Sequence, residues 1–158
     1  MPATVHRLRP RVLAFPAAQR RAARAAASRP NAATNGRTAL MRYLYSLSEL
    51  APDAPLSFLL VNLAPASEPT VTRALDLIET MVRPTDRADR YDVEQAGIVL
   101  QGATAERASL TAAQMSRRLM QPGVLPPGTS VDVSAATGIG RNALELPVAA
   151  ASTFQDCG

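Results

Sequence analysis

The sequence has no lysine and no tryptophan, and its 158 residues include one histidine and one cysteine. His6 lies near the N-terminus, so the body of the chain cannot form a multi-histidine metal site or a Ser-His-Asp triad. Cys157 has no second cysteine to pair with, which fits a reducing compartment. Every apolar run falls short of the roughly 18 residues of a membrane-spanning helix. We therefore expect no transmembrane segment.

The positive charge is concentrated at one end of the chain. Residues 1–48 carry nine arginines and no acid, whereas residues 49–158 carry eight arginines and 13 acids, a net charge of −5. The sequence pI of about 10.2 is therefore a property of the N-terminal part. The pI is therefore no sign of a nucleic-acid-binding domain, and we expect no nucleic acid polymer as a partner.

Length and composition predict a single globular domain with a core of Ala, Leu and Val, because only 4 % of the residues are aromatic. Residues 1–27 are predicted to be a basic flexible arm, residues 28–140 the folded domain, and residues 141–158 a short helix or tail. The arm has three other interpretations that stay open. It could contact phosphate or lipid, act as an organellar transit peptide, or dock on a partner as a helix.

Hydrophobic periodicity predicts helices between strands. Leu40, Leu44 and Leu47 recur at helical spacing, which predicts a helix over residues 37–50. A nearly continuous apolar run over residues 56–63 is typical of a central strand buried on both faces. The order α-β-α-β-β-α-β implies a sheet covered by helices. The later elements are a second helix from Glu68 that ends by Arg83, two strands within residues 87–102, a third helix marked by Ala108 to Leu119, and a last strand from Val131 to Ala135.

A spacing in the centre of the chain carries a family resemblance. Arg83-Pro84-Thr85-Asp86 is followed by five residues, then by Asp92-Val93-Glu94-Gln95-Ala96, and then by an apolar strand. This arrangement resembles the GGDEF family, the diguanylate cyclases that join two GTP molecules into cyclic di-GMP. The opening segment Ser28 to Arg37 fits it more weakly, and the last strand, Val131 to Ser134, resembles the family's last strand. The resemblance implies a nucleotide-cyclase-like α/β (α+β) fold, with a mostly antiparallel central sheet and helices on both faces.

Departures from the family pattern predict a domain without catalysis. Asn62 stands where the family places a metal-binding Asp, and Asp92-Val93 replaces the two glycines of the hairpin turn. Glu94-Gln95 keeps one carboxylate where the family has two. Phosphoryl transfer needs carboxylates that hold Mg²⁺ on the triphosphate, so we expect no catalytic residues, no metal and no cofactor. The phosphate- and guanine-positioning residues are also replaced, by Ala66-Ser67 and Thr70-Val71.

The motif Arg83 to Asp86 matches the family's inhibitory site, where cyclic di-GMP binds. An arginine can fork to guanine or phosphate, and Asp86 could accept hydrogen bonds from a guanine edge. Met115 stands near the position of a further family arginine, so Arg117 and Arg118 just beyond it are weaker candidates. The same four residues could also form an ordinary solvated turn with an ion pair.

The resemblance thus predicts a cyclic-di-GMP receptor that has lost cyclase activity and regulates a protein partner. The alternative is a ligand-independent interaction or scaffold domain that keeps only the fold, and a cyclase with relocated metal ligands is the third hypothesis. The expected location is the bacterial cytoplasm, with association to a membrane complex through a partner left open. A homodimer is also left open.

Overall fold

The computed structural model describes residues 32–155, with side chains described from residue 35 onward. The predicted arm 1–27 and Cys157 lie outside this range. The elements are α1 (Ala32–Leu50), β1 (Pro55–Ala64), α2 (Glu68–Met81), β2 (Arg87–Asp92), β3 (Gln95–Gln101), α3 (Ala105–Leu119), β4 (Ser130–Ile139), the 3₁₀ segment Gly140–Glu145, and α4 (Leu146–Gln155).

The four strands form one sheet in the order β2-β3-β1-β4, and every neighbouring pair is antiparallel. The apolar run of the sequence is β1, which lies in the middle with Leu59 opposite Ile98 on one side and Ala135 on the other. The predicted central strand is confirmed. Helix α2 connects β1 to β2 and helix α3 connects β3 to β4, so each connection passes over one intervening strand.

Helices cover both faces of the sheet, as predicted. Alternate residues of β1 point to opposite faces, which divides the core in two. On one face α2 and α3 pack over Leu59, Val61 and Leu63. On the other face α1 and α4 pack over Phe58 and Leu60. Each fully buried aliphatic side chain stabilises the fold by about 1.5–3 kcal/mol relative to exposure, so the sheet is held from both sides.

Helix α1 starts earlier than predicted, at Ala32 rather than near Arg37. Asn35 and Gly36 are poor helix formers, so the sequence alone indicated a later start. In the structure Gly36 lies against the backbone of β2, where an added Cβ would overlap the Arg90 carbonyl oxygen and lie 2.8 Å from Asp89 Oδ1. Tertiary packing therefore uses a glycine inside the helix to bring α1 close to β2.

Residues after the last predicted strand also belong to the packed structure. Strand β4 extends to Ile139, and the segment left open as a helix or a tail forms the 3₁₀ turn and α4. Leu146 and Ala150 are buried in the core on the same face of the sheet as α1. Pro147 is compatible with this helix because it occupies the first turn, where its missing N–H costs nothing. Within residues 32–155, no helix has both the length and the apolar content needed to cross a bilayer.

Candidate functional site

The turn between α2 and β2 contains the motif Arg83 to Asp86, and the buried Asp86 side chain stabilises this turn by hydrogen bonds. Only 2 % of the Asp86 side chain is exposed. One carboxylate oxygen accepts the backbone N–H of Arg83 at 2.9 Å, and the other accepts the backbone N–H of Gln101 at 3.0 Å. The Asp86 N–H donates in turn to the Arg83 carbonyl at 2.9 Å. These bonds fix the shape of the turn and join it to the end of β3.

The Arg83 guanidinium lies at the surface of this turn, with 43 % of the side chain exposed. Its Nη2 donates to the Gln101 carbonyl at 2.7 Å, and its Nε is 3.5 Å from Asp86 Oδ2. A guanidinium has five N–H donors, and these contacts with described residues leave its Nη1 group unused. The side chain is thus held in one orientation and still presents donors to solvent.

Tyr43 of α1 forms a hydrogen bond with the same turn. Its hydroxyl donates to the carbonyl of Thr85 at 2.6 Å and lies 3.4 Å from the side-chain oxygen of Gln101. Burial, and secondarily the negative charge of Asp86, raises the pKa of Tyr43 to about 12, with Arg87 acting in the opposite direction. The hydroxyl therefore stays protonated and remains a donor at neutral pH.

The Asp86 carboxylate points into the turn and not toward solvent, where a guanine base could reach it. The sequence interpretation had Asp86 accept hydrogen bonds from a guanine edge. Both of its oxygens instead accept backbone N–H groups, and its side chain is almost fully buried. A ligand can reach this carboxylate only if the turn opens. In the closed turn Asp86 positions Arg83.

Arg117 and Arg118 lie away from Arg83. Arg83 contacts Gln101, four residues before the start of α3, whereas both arginines occupy the last turn of that helix. Twelve residues at 1.5 Å each place Arg117 about 18 Å along the axis from Ala105. There they face the negative end of the helix dipole, a favourable position for a cation without any ligand. The structure does not bring them together with Arg83.

A separate cleft of about 300 Å³ lies at the β2–β3 hairpin. It is lined by Asn62 at the end of β1 and by the turn residues Asp92, Val93, Glu94 and Gln95. Asn62 pairs with Gln95 in the sheet, and the neighbouring Leu63 N–H donates to the Glu94 carbonyl at 2.9 Å. The residues that the sequence comparison aligned with a catalytic site therefore do come together in space.

The N-terminus of α2 lies beside β2 and is capped by a side chain of the chain itself. Ser67 caps the helix by accepting the Thr70 N–H at 3.4 Å. Glu68 in the first turn forms an ion pair with Arg90, whose side chain is only 7 % exposed. A helix N-terminus that is free would attract an anion such as phosphate. Here the Ser67 hydroxyl already caps the helix, and Glu68 in the first turn adds a negative charge that disfavours an anion.

The cleft offers limited charge to the divalent metal that a cyclase uses. Its lining side chains are the neutral amides of Asn62 and Gln95, the apolar Val93 and two carboxylates, Asp92 and Glu94, and hard cations bind through oxygen ligands, carboxylates prominent among them. Within residues 32–155, no group of three or more His, Cys, Asp or Glu side chains is arranged to hold a metal ion.

No protein-family model matches the chain, and no curated protein shows significant sequence similarity to it. Solved structures do match. The GGDEF domain of DgcB from Caulobacter crescentus in complex with cyclic di-GMP is 12 % identical, with a TM-score of 0.57 over 78 % of this chain and 82 % of that one. The chain has the GGDEF fold.

Two further solved structures share this fold. A microbial GGDEF domain studied for its interaction with cyclic di-GMP has a TM-score of 0.56 and 15 % identity, covering 75 % of this chain and 82 % of its own. The active GGEEF domain of a Vibrio cholerae diguanylate cyclase has a TM-score of 0.53 and 14 % identity, covering 75 % and 87 %. The fold predicted from the central motif is therefore confirmed.

Three residues around these sites were not assigned a site role from the sequence. In the sequence Tyr43 lies next to Leu44 of the apolar stripe of α1, and neither Gln101 nor Arg90 stands out. Their roles depend on contacts 42, 18 and 22 positions away in the chain. A pattern of local periodicity carries no signal for such pairs within the GGDEF fold.

Proposed function

We propose that this GGDEF-fold domain lacks cyclase activity, binds cyclic di-GMP through Arg83, and regulates a protein partner. The observation that carries the proposal is the Arg83 guanidinium, which is oriented by Asp86 and by the Gln101 carbonyl yet remains 43 % exposed. A guanidinium fixed in advance loses less conformational entropy when it forks to a guanine or a phosphate. Asp86 acts as the positioning residue.

The loss of catalysis is supported by the cleft at the hairpin. Asn62 contributes no charge to metal binding, and the Asp92 carboxylate stands where a triphosphate would need a neutral or positive neighbour. At the start of α2, Glu68 and Ser67 occupy the end of the helix that could otherwise bind phosphate. No metal or cofactor is part of the proposed function.

The ligand is also suggested by the structural neighbours, two of which are described with cyclic di-GMP. At 12 % and 15 % identity they establish the fold alone. The proposal for this chain therefore rests on Arg83. Arg117 and Arg118 would contribute only long-range attraction to a ligand held at Arg83.

Isothermal titration calorimetry with cyclic di-GMP on the full chain tests the proposal. We expect binding by the wild type, at least a tenfold loss in Arg83→Ala, and a marked loss in Arg83→Lys, which keeps the charge but not the fork. Arg83→Ala keeps the backbone N–H that Asp86 accepts, so the turn stays closed. Arg118→Ala is the matched control and should bind like the wild type. No heat with the wild type, or equal heat with Arg83→Ala, would overturn the proposal.

A second function is favoured by a different observation. Each oxygen of the Asp86 carboxylate accepts a backbone N–H, so bonds within the chain hold the turn closed without a ligand. A ligand-independent interaction domain requires only such a self-contained turn. Binding to a protein partner that is unchanged by Arg83→Ala and by added cyclic di-GMP would favour this second function.

A further inference from the structure

Strand β4 is an edge of the sheet, and its outer backbone groups can be assigned. The Leu63 N–H donates to Glu94 and the Pro55 carbonyl accepts from Gly102, so odd-numbered residues of β1 bond toward β3. The Ala54 carbonyl accepts from Gly140, so even-numbered positions bond toward β4. In the β1–β4 register, even-numbered residues stand opposite even-numbered residues. The odd-numbered residues of β4 therefore point their N–H and C=O groups away from the sheet.

Within residues 32–155, no strand pairs with this outer edge. An exposed edge strand is a template for pairing with another chain, and proteins usually protect it with charges, bulges or short length. Strand β2, the opposite edge, has these protections: it has six residues, its register is broken between Arg90 and Asp92, and it carries four charged side chains. Strand β4 has ten residues, an unbroken register and only Asp132 as a charge.

The sequence of β4 is compatible with pairing to itself. Two copies of β4 can pair antiparallel around a two-fold axis at Ala135. In this register each of the five outward-facing odd-numbered residues, from Val131 to Ile139, stands opposite an outward-facing residue of the second copy. This pairing would form about ten backbone hydrogen bonds. Val131 would stand opposite Ile139 of the second copy. This contact between two β-branched side chains would cover part of Ile139, which is 39 % exposed in one copy.

The same register avoids a clash of like charges. Asp132 would stand opposite Gly138, which has no side chain, and six residues would separate it from Asp132 of the second copy. At 3.4 Å per residue this is about 20 Å, beyond the screening length of roughly 8–10 Å at physiological salt. The single charge on the strand therefore does not oppose association.

We propose that the outer edge of β4 binds a second copy of this chain, antiparallel and centred on Ala135, so that two four-stranded sheets become one. The contact is independent of cyclic di-GMP, because β4 is one edge strand of the sheet and the turn with Arg83 leads into β2, the opposite edge strand. One strand per protomer is a small interface, so the dimer forms reversibly and depends on concentration.

The mass of the full chain in solution is the first test. Sedimentation equilibrium should show an increase from the 16.7 kDa monomer toward twice that mass as concentration rises. Ala135→Pro removes an outward N–H without removing a bond to β1, and a proline is tolerated at such an edge position. This variant should weaken dimerisation at least tenfold while its circular dichroism stays that of the wild type. A wild-type monomer at every concentration would overturn the proposal.

Crosslinking tests the register and does not depend on the proline variant folding. In a Cys157→Ser background, Ala135→Cys places two sulfurs across the axis, where paired Cα atoms lie about 5.5 Å apart, within disulfide range. Thr137→Cys is the matched control, because its counterpart would lie four residues away, about 14 Å. Mild oxidation should give at least ten times more linked dimer at position 135. Equal linkage at both positions would contradict this register.

Discussion

The Asp86 carboxylate accepts the backbone N–H of Gln101 at 3.0 Å and thereby ties the turn before β2 to the last residue of β3. Sequence separation between the two residues is 15 positions. The Arg83 side chain completes the connection through the Gln101 carbonyl. The candidate ligand-contacting arginine and the end of a core strand are therefore one hydrogen-bonded unit, and its parts can be tested separately.

Replacement of Asp86 should cost stability rather than only binding. Asp86→Ala leaves the N–H groups of Arg83 and Gln101 without their acceptor. An unsatisfied, largely buried donor costs about 1–3 kcal/mol, so the free energy of unfolding measured with urea should fall by that order. Asp53→Ala is the control, since its ion pair with Arg141 is exposed and should contribute less than about 1 kcal/mol. Equal losses in the two variants would contradict the structural role of Asp86.

Removing the hydroxyl of Tyr43 should loosen α1 from the turn. Tyr43→Phe deletes the donor to the Thr85 carbonyl and should lower the free energy of unfolding by about 1 kcal/mol. Tyr45→Phe, on the exposed side of α1 at 56 % exposure, should leave the urea midpoint unchanged. If both variants unfold at the wild-type midpoint, the hydroxyl makes no net contribution.

Tyr43 should also make stability depend on alkaline pH. Its pKa rises from 10.0 to about 12 in the folded chain, so the unfolded chain loses this proton first. The favourable contribution is therefore fully present below pH 10 and is lost as the pH rises from 10 toward 12. Urea denaturation at increasing pH should show this loss for the wild type. A Tyr43→Phe variant with the same alkaline loss would show that the dependence has another source.

The junction of β4 with α1 should tolerate no side chain at Gly140. A Cβ at this position would overlap the Ala51 carbonyl oxygen and lie 3.0 Å from that of Leu47. Backbone atoms cannot move aside cheaply, so Gly140→Ala should destabilise the fold by about 1–3 kcal/mol. Gly138→Ala is the matched comparison, because its Cβ meets only the end of the Leu146 side chain at 3.2 Å. Thermal unfolding should show a clearly smaller loss for Gly138→Ala.

The hairpin cleft should bind divalent metal only after a carboxylate is restored. We expect millimolar Mg²⁺ or Mn²⁺ to leave the Tm of the wild type unchanged, and incubation with GTP and either metal to yield no cyclic dinucleotide. Asn62→Asp adds a third carboxylate to Asp92 and Glu94 in the lining, so Mn²⁺ should raise the Tm of this variant. A cyclic dinucleotide product from the wild type would overturn the proposed loss of catalysis.

The fold was predictable from local patterns because its elements are strongly periodic. The run from Leu56 to Leu63 indicated a central strand, and the helix predicted from Glu68 to Arg83 corresponds to α2, whose buried face includes Val71, Ala74, Leu75 and Ile78. The predicted start of α1 was too late because Asn35 and Gly36 are poor helix formers by propensity, whereas in the structure Gly36 lies inside the helix in close contact with β2. The length of β4 was underestimated because Ala136 and Gly138, just beyond the predicted end at Ala135, are not strand formers by propensity.

The candidate site was only half predictable. The sequence identified Arg83 and Asp86 from their spacing, because a motif of four residues is local. It could not assign their roles: whether Asp86 faces solvent or a backbone N–H depends on where β3 ends relative to the turn. The separation of Arg117 from Arg83 likewise follows from the course of α3.

The sequence by itself determined the order of the elements and the identity of the residues that line the cleft at the β2–β3 hairpin. Hydrophobic periodicity and motif spacing are local properties that can be followed along the chain. Only the tertiary structure decided that Asp86 is buried, that Glu68 pairs with Arg90, and that β4 is an edge strand of the sheet formed within residues 32–155. These features depend on strand order and register. Both result from packing the whole core at once, and no local segment of the sequence specifies them.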